Sequence, residues 1–294
     1  VRVRIGKVMA VLVPIYTGLT LLLWVLLTVA GDPPLVAVSH AMSIMATSGI
    51  SPVGGLDGGA SGVTGEIVML LFMLFALSRL TFSSDTVNAG TGNLLLDPEL
   101  RIGLALVVIV PVFLFLRHYA GAFDVNAEED LGDAARALWG GAFTVLCFLT
   151  TTGVASQKWA AALGGSGLET PGLLLLGLSV IGGGVATTAG GVKLLRVFAL
   201  YQNGLREMER LVHPSSVSGA GGLGRRLQKD GAFIAWIFFM LFALSLALVS
   251  IALSATGLSF ETALVMTISG LSTTGPLLEM AGDTPIRLSE LNVT

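Results

Sequence analysis

At residues 149–156 the chain reads Leu-Thr-Thr-Thr-Gly-Val-Ala-Ser, a threonine-rich turn that closes an apolar segment. Similar turns lie at 46–51 and 272–276, and their glycines, Gly49, Gly153 and Gly275, are 104 and 122 residues apart. Each turn follows a short apolar segment, at 35–46, 134–149 and 260–271, with fewer than the ~20 helical residues that cross a bilayer. Three copies with the same order and turn chemistry predict an internal repeat of re-entrant helices.

The composition around these turns is that of a polytopic membrane protein. The 294 residues are 53% hydrophobic and 12% charged, and the mean hydropathy is +0.85. Five further apolar segments, at 8–30, 66–80, 102–116, 171–200 and 232–255, are long enough to cross or nearly cross a bilayer. They predict membrane helices and an all-α fold. One cysteine and three scattered histidines exclude a disulfide framework and leave few ligands for a metal site. Enzymatic activity is not indicated, and a net charge of -3 does not suggest binding to nucleic acid.

The fourth long segment contains a glycine-rich interruption at 182–191, Gly-Gly-Gly-Val-Ala-Thr-Thr-Ala-Gly-Gly. Lipid cannot satisfy exposed backbone groups, so such a break requires surrounding protein or a water-filled cavity. A packing seam of small residues is the plainer alternative. Five glycines in ten residues exceed what a seam needs, and this favours a flexible loop.

The distribution of basic residues predicts the orientation. If the threonine-rich turns face outward, only Arg117, Arg136, Lys158 and Arg287 of the sixteen lysines and arginines lie outside. The positive-inside rule therefore places the turns toward the outer surface. A short helix that enters from outside and ends in a glycine-containing turn directs carbonyls and its negative end toward a central space, where a cation is favoured. An ordinary helix C-cap is the plainer interpretation of any one turn, whereas three matched copies favour a cation pathway.

These residues resemble the Trk/Ktr/HKT superfamily of potassium transporters, and are most similar to the bacterial Trk membrane subunit. The three turns look like its pore loops, and 181–196 looks like the interrupted helix of its third repeat. The stretches Asp97-Pro98-Glu99 and Glu209-Arg210-Leu211-Val212-His213-Pro214 are similar to inner-loop motifs of the same subunit. The resemblance covers nearly the whole chain.

The resemblance implies a pore of four repeats around a pseudo-fourfold axis, each built as membrane helix, re-entrant pore helix, filter loop and membrane helix. Residues 1–82 would form the second repeat, 83–101 an inner loop, 102–203 the third repeat, 204–230 a second inner loop, and 231–294 an incomplete fourth repeat. The first repeat and the last helix would be missing, so the chain is expected to be a fragment. The implied potassium filter consists of Thr47, Ser48, Gly49, Ile50, Thr151, Thr152, Gly153, Val154, Thr273, Thr274, Gly275 and Pro276. The three glycines are expected to adopt positive φ.

The resemblance also implies that the glycine-rich loop gates the pore. The gate residues would be Gly182, Gly183, Gly184, Thr187, Thr188, Gly190, Gly191 and Lys193, although Lys193 could instead be an ordinary interface anchor. The transported substrate would be potassium, without a cofactor, across a bacterial inner membrane. A homodimer and a cytosolic nucleotide-binding regulatory subunit are the expected partners, together with the lipid bilayer. Two alternatives are open: a secondary transporter with a discontinuous helix, and a non-conducting remnant or scaffold.

Overall fold

The computed structural model describes residues 2–77, 97–122, 131–163, 171–185, 187–212 and 222–281. Every regular element in these ranges is helical. The first half of the chain contains α1 (Arg2–Val29), α2 (Pro34–Ala46), α3 (Gly62–Met73) with a 3₁₀ turn at Leu74–Leu77, α4 (Pro98–Ala122) and α5 (Leu131–Leu149). The second half contains α6 (Trp159–Leu163), α7 (Pro171–Ile181), α8 (Leu194–Val212), α9 (Gly222–Ala255), α10 (Phe260–Ser272) and α11 (Leu277–Met280).

Three of these helices are long and apolar enough to cross a membrane, over Leu12–Val29, Glu99–Arg117 and Gly231–Ala255. They correspond to three of the five predicted spans. The predicted span 66–80 is α-helical only to Met73 in the described part, and continues as the 3₁₀ turn. The predicted span 171–200 forms two helices, α7 and α8, which the glycine-rich segment separates. The all-α membrane architecture is confirmed.

The three short helices occupy the predicted re-entrant segments. α2 begins at the Pro33-Pro34 pair, where the fixed φ of proline suits the first helical turn. α10 begins after Ser259, whose hydroxyl accepts a hydrogen bond of 3.2 Å from the Thr262 amide. Each short helix ends immediately before its threonine-rich turn, so the sequence pattern located these ends correctly.

Both predicted inner loops are partly helical. α4 already begins at Pro98, inside the interval 83–101, because proline is favoured in the first turn of a helix. In the interval 204–230, α8 continues to Val212 and α9 begins at Gly222. Residues 83–96 and 213–221, which include His213 and Pro214, lie outside the described residues, and so does the end of the chain from 282 onward.

The short helix α5 forms the centre of the molecule. It packs against α4, α3, α6 and α7, and the side chains of Phe143, Leu146 and Phe148 are fully buried. On the α3 side Met69 and Met73 are equally buried. Burial on every side fixes the position of the turn that follows α5.

Gly140 of α5 lies close to the backbone of Lys158 and Trp159, and we expect this contact to be required for stability. A β-carbon at Gly140 would lie 2.6 Å from the Lys158 carbonyl carbon and 3.1 Å from the Trp159 amide nitrogen. Gly140→Ala should therefore lower the free energy of unfolding by about 1–3 kcal/mol. Gly177→Ala on α7 is the control, because its β-carbon meets no atom of the described residues within 4 Å. Thermal unfolding of the detergent-solubilised protein measures both variants, and equal midpoints would contradict the close packing.

Candidate functional site

The three threonine-rich turns share one backbone geometry. Thr47 and Thr273 come directly after α2 and α10, and Thr151 is the second residue after α5. All three adopt the left-handed conformation, with φ of 48°, 58° and 60°. A non-glycine residue with positive φ is uncommon and carries a steric cost. Three such threonines at equivalent positions are therefore a structural signature of the repeat, and the sequence pattern did not predict them.

The hydrogen bonds of these helix ends are also the same in all three copies. After α5, the Thr151 amide donates to the Phe148 carbonyl at 3.2 Å and the Thr152 amide donates to the Cys147 carbonyl at 2.8 Å. The equivalent bonds after α2 and α10 measure 2.9 to 3.3 Å. This is the Schellman pattern, which usually places glycine at the left-handed position. It reverses the chain direction sharply at each turn.

The glycine two residues later behaves differently in the third copy. Gly49 and Gly153 have φ of 64° and 77°, as predicted. The prediction of positive φ for Gly275 is wrong, because its φ lies outside the left-handed region. The physical reason is the helical turn α11. Its amides at Leu277, Leu278 and Glu279 bond to the carbonyls of Thr274, Gly275 and Pro276, respectively, at 3.1 to 3.2 Å.

Free carbonyl groups therefore distinguish the first two turns from the last. Among the described residues, no group donates a hydrogen bond to the carbonyls of 47–50 or of 152–154. The Thr151 carbonyl has one long contact, 3.5 Å from the Thr274 hydroxyl. Thr47, Thr151, Thr152 and Val154 are nevertheless buried. Buried carbonyls normally have a partner, so these groups can accept an additional ligand.

All three turns meet at one place. Gly49 lies so close to the Thr152 carbonyl oxygen that a β-carbon would overlap it. A β-carbon at Gly153 would lie 2.6 Å from Cγ2 of Thr274. The ring of Pro276 approaches both glycines, at 3.0 Å and 3.3 Å from the same hypothetical β-carbons. The predicted filter residues of the three copies are thus brought together.

The electrostatics of this meeting point favour a cation. The C-terminal ends of α2, α5 and α10 carry partial negative charge, and none of the three has a basic residue in its last turn. In the described ranges, no cluster of histidine, cysteine or carboxylate side chains could hold a metal. Any cation bound here would therefore be coordinated by carbonyl and hydroxyl oxygens.

The glycine-rich segment between α7 and α8 contacts the ends of all three short helices. The Thr188 hydroxyl donates to the Met45 carbonyl at 3.2 Å, and the Gly190 amide donates to the Thr151 hydroxyl at 2.7 Å. A β-carbon at Gly190 would lie 2.5 Å from the Ser272 carbonyl carbon. One loop thus touches the ends of α2, α5 and α10 together.

Two charged residues hold this loop. The Lys193 ammonium donates to the carbonyls of Ala189 and, at 3.4 Å, Thr187, so it folds onto the loop. On the other side, the fully buried Glu99 accepts a hydrogen bond of 3.0 Å from the Val185 amide. Sequence reasoning treated Glu99 only as part of a motif. Its place in the first turn of α4 gives it a direct contact with the loop.

The outgoing arms of the turns are anchored by polar side chains. His40 on α2 forms a hydrogen bond of 2.9 Å with Ser51, the last residue of the first turn. The anchor of the arm that follows the central turn is Glu66 on α3, which accepts from the Ser156 hydroxyl and the Gln157 amide. The sequence showed Glu66 as an acidic residue at the end of a predicted span, but gave it no role at the turns. The available signal was its position as a single acidic residue in the apolar segment 66–80.

The sequence of this chain matches a known protein family and several of its members. The model of the TrkH family, described as cation transport proteins, matches residues 92–284. The Trk system potassium uptake protein TrkH of Salmonella typhimurium is 28% identical over 96% of this chain and 56% of its own length. The protein of the same name from Vibrio parahaemolyticus is 28% identical over 98% of this chain and 57% of its own length.

A solved structure agrees with these relatives. The crystal structure of the potassium transporter TrkH from Vibrio parahaemolyticus superposes with a TM-score of 0.78 at 25% identity. The match covers 99% of this chain and 59% of that structure. The chain thus spans little more than half the length of the relatives that it matches.

Proposed function

Because the chain belongs to the TrkH family of cation transport proteins, we propose that it forms part of a potassium uptake pathway lined by backbone carbonyls. The observation that carries the proposal is the set of free, converging carbonyls at 47–50 and 152–154. A ring of carbonyl oxygens replaces the hydration shell of a potassium ion as it enters a pore. The three helix C-termini add negative potential at the same point.

The proposed filter contains residues from all three turns. Thr47, Ser48, Gly49 and Ile50 form the first part, and Thr151, Thr152, Gly153 and Val154 form the second. Thr273, Thr274, Gly275 and Pro276 form the third. The third part acts mainly through its helix terminus and the Thr273 carbonyl. The carbonyls of Thr274, Gly275 and Pro276 already accept hydrogen bonds from the amides of α11. Selectivity in this arrangement depends on the first two turns.

The proposed gate is the glycine-rich loop on the inner side of the filter. Gly182, Gly183, Gly184, Thr187, Thr188, Gly190, Gly191 and Lys193 form it, and its contacts with all three helix ends support this role. A loop in this position blocks an ion that leaves the filter inward. Conduction therefore requires the loop to move away from Thr151 and Ser272.

The proposed organisation follows the family resemblance. Residues 1–82, 102–203 and 231–294 belong to three successive pore repeats in the plasma membrane of a bacterium, in contact with the lipid bilayer. Potassium is the proposed substrate, and a second copy and a cytosolic nucleotide-binding regulatory subunit are the proposed partners. The basic residues between 206 and 229, on the predicted inner side, support a cytosolic partner.

Ion uptake in cells tests the proposal. The protein, expressed from its complete coding sequence in bacteria that lack their own potassium uptake systems, should support growth at low potassium and the entry of radioactive rubidium. External potassium should inhibit rubidium entry at lower concentrations than sodium does, because carbonyl filters favour the larger ion. Rubidium entry no faster than in cells without the protein, at equal membrane abundance of a tagged copy, would refute the function.

A further inference from the structure

Glu66 is a buried acid within an apolar helix. It is the fifth residue of α3, and only 1% of its surface is exposed. Removing a carboxylate from water is costly unless hydrogen bonds or opposite charges compensate. An acid retained in such a place therefore calls for a specific role, and its partners identify that role.

The partners of Glu66 come from two parts of the neighbouring repeat. Its Oε2 atom accepts a hydrogen bond of 2.6 Å from the indole nitrogen of Trp139 on α5. Its Oε1 atom accepts one of 2.8 Å from the Gln157 amide, and both oxygens lie 2.9 Å from the Ser156 hydroxyl. Trp139 and the Gln157 amide can only donate, so both oxygens act as acceptors. This is the pattern of a carboxylate with charge-assisted hydrogen bonds.

The segment held by Glu66 is the outgoing arm of the central turn. Ser156 lies three residues after Gly153, and its amide also donates to the Thr144 hydroxyl at 3.1 Å. The side chain of Gln157 donates to the Leu56 carbonyl at 2.7 Å, which adds a second link to the preceding repeat. The arm is thus fixed both to its own helix α5 and to elements from the first part of the chain.

Between this arm and the end of α5, the carbonyls of the turn lack fixed partners. Within the described structure, those of Thr152, Gly153 and Val154 accept no hydrogen bond. Their directions therefore depend on the two ends of the turn. The Schellman hydrogen bonds at Thr151 and Thr152 fix one end, and Glu66 fixes the other.

We propose that Glu66 is a positioning residue that keeps the carbonyl groups of 152–154 in fixed directions. It thereby sets the ion preference of the central turn. The proposal rests on the function proposed above. Glu66 does not touch the ion in this proposal; it acts through Ser156 and Gln157. Its side chain belongs to one repeat and its partners to the next, so it also couples the geometry of two turns.

Charge and hydrogen-bond variants of Glu66 test the proposal in the protein expressed from its complete coding sequence. In Glu66→Gln an amide nitrogen replaces one acceptor oxygen, so either Trp139 or Gln157 loses its bond. The potassium-over-sodium preference in competition against rubidium uptake should fall by about tenfold, the effect of losing one hydrogen bond to a charged group.

Trp139→Phe removes a single donor and should shift the preference in the same direction, while the membrane abundance of a tagged copy stays normal. Glu261→Gln, an exposed acid in the first turn of α10, is the control and should leave the preference unchanged.

The outcomes separate this proposal from the general function. Normal ion preference in Glu66→Gln and Trp139→Phe, alongside rubidium uptake by the unchanged protein, would overturn the role of Glu66 and leave the function intact. If Glu66→Gln does not accumulate in membranes, Trp139→Phe and Ser156→Ala decide the question by the same ratio. Slower rubidium uptake with an unchanged potassium-over-sodium preference would also overturn the role, since it would indicate a purely structural contribution.

Discussion

Gly153→Ala is expected to remove most of the preference for potassium over sodium. Gly153 has φ of 77°, where a β-carbon costs about 1–2 kcal/mol. The same β-carbon would lie 2.6 Å from Cγ2 of Thr274. The turn must therefore shift, and the adjacent free carbonyls shift with it. Since about 1.4 kcal/mol corresponds to a tenfold change in binding, we expect a loss of preference of at least tenfold, measured by ion competition against rubidium uptake.

Gly275→Ala is the matched control for Gly153→Ala. It changes the same residue type at the equivalent position of the last turn, where φ is ordinary and no described atom lies within 4 Å of the β-carbon. Its ion preference should stay close to that of the unchanged protein, and Gly49→Ala should resemble Gly153→Ala. Equal effects of the substitutions at 153 and 275 would contradict the assignment of selectivity to the first two turns.

Gly190→Ala is expected to raise the rate of uptake without changing the ion preference. With the loop in the position that the structure shows, this β-carbon would lie 2.5 Å from the Ser272 carbonyl carbon. The loop could therefore not keep its place against α10. Such overpacking costs about 1–3 kcal/mol, which displaces the loop toward positions away from the filter. Initial rates of rubidium entry per molecule, together with the sodium competition ratio, measure the two expected results.

Gly177→Ala serves as the comparison for the loop variant. It lies on α7, shortly before the loop, and in the part of the chain that the structure describes nothing lies within 4 Å of its β-carbon. Uptake by Gly177→Ala should match that of the unchanged protein. A changed ion preference in Gly190→Ala, or an unchanged rate at equal abundance, would contradict a gate that is separate from the filter.

The helices and the positions of the turns could be predicted from sequence because both depend on local patterns. Apolar length locates α1, α4 and α9, and the glycine-rich run marks the break between α7 and α8. The three short helices end as predicted because each apolar segment runs directly into a threonine-rich turn. These features require no knowledge of which elements are neighbours in space.

The geometry of the individual turns could not be predicted, because it depends on tertiary contacts. Threonine normally avoids positive φ, so no local rule would place Thr47, Thr151 and Thr273 there. The last turn has the same Thr-Thr-Gly letters as the central one, but Pro276 leads into a helical turn that uses its carbonyls. Glu66 has a clear role only once its partners from the next repeat are known.

The glycine-rich loop forms hydrogen bonds with the turns, so the proposed gate must take up water when it opens. While the loop is in place, the Met45 carbonyl and the Thr151 hydroxyl receive their donors from Thr188 and Gly190. When the loop moves away, water must supply the missing partners, because bare polar groups inside a membrane protein are too costly. The open state therefore contains more bound water than the closed state. Lower water activity therefore disfavours opening of the proposed gate.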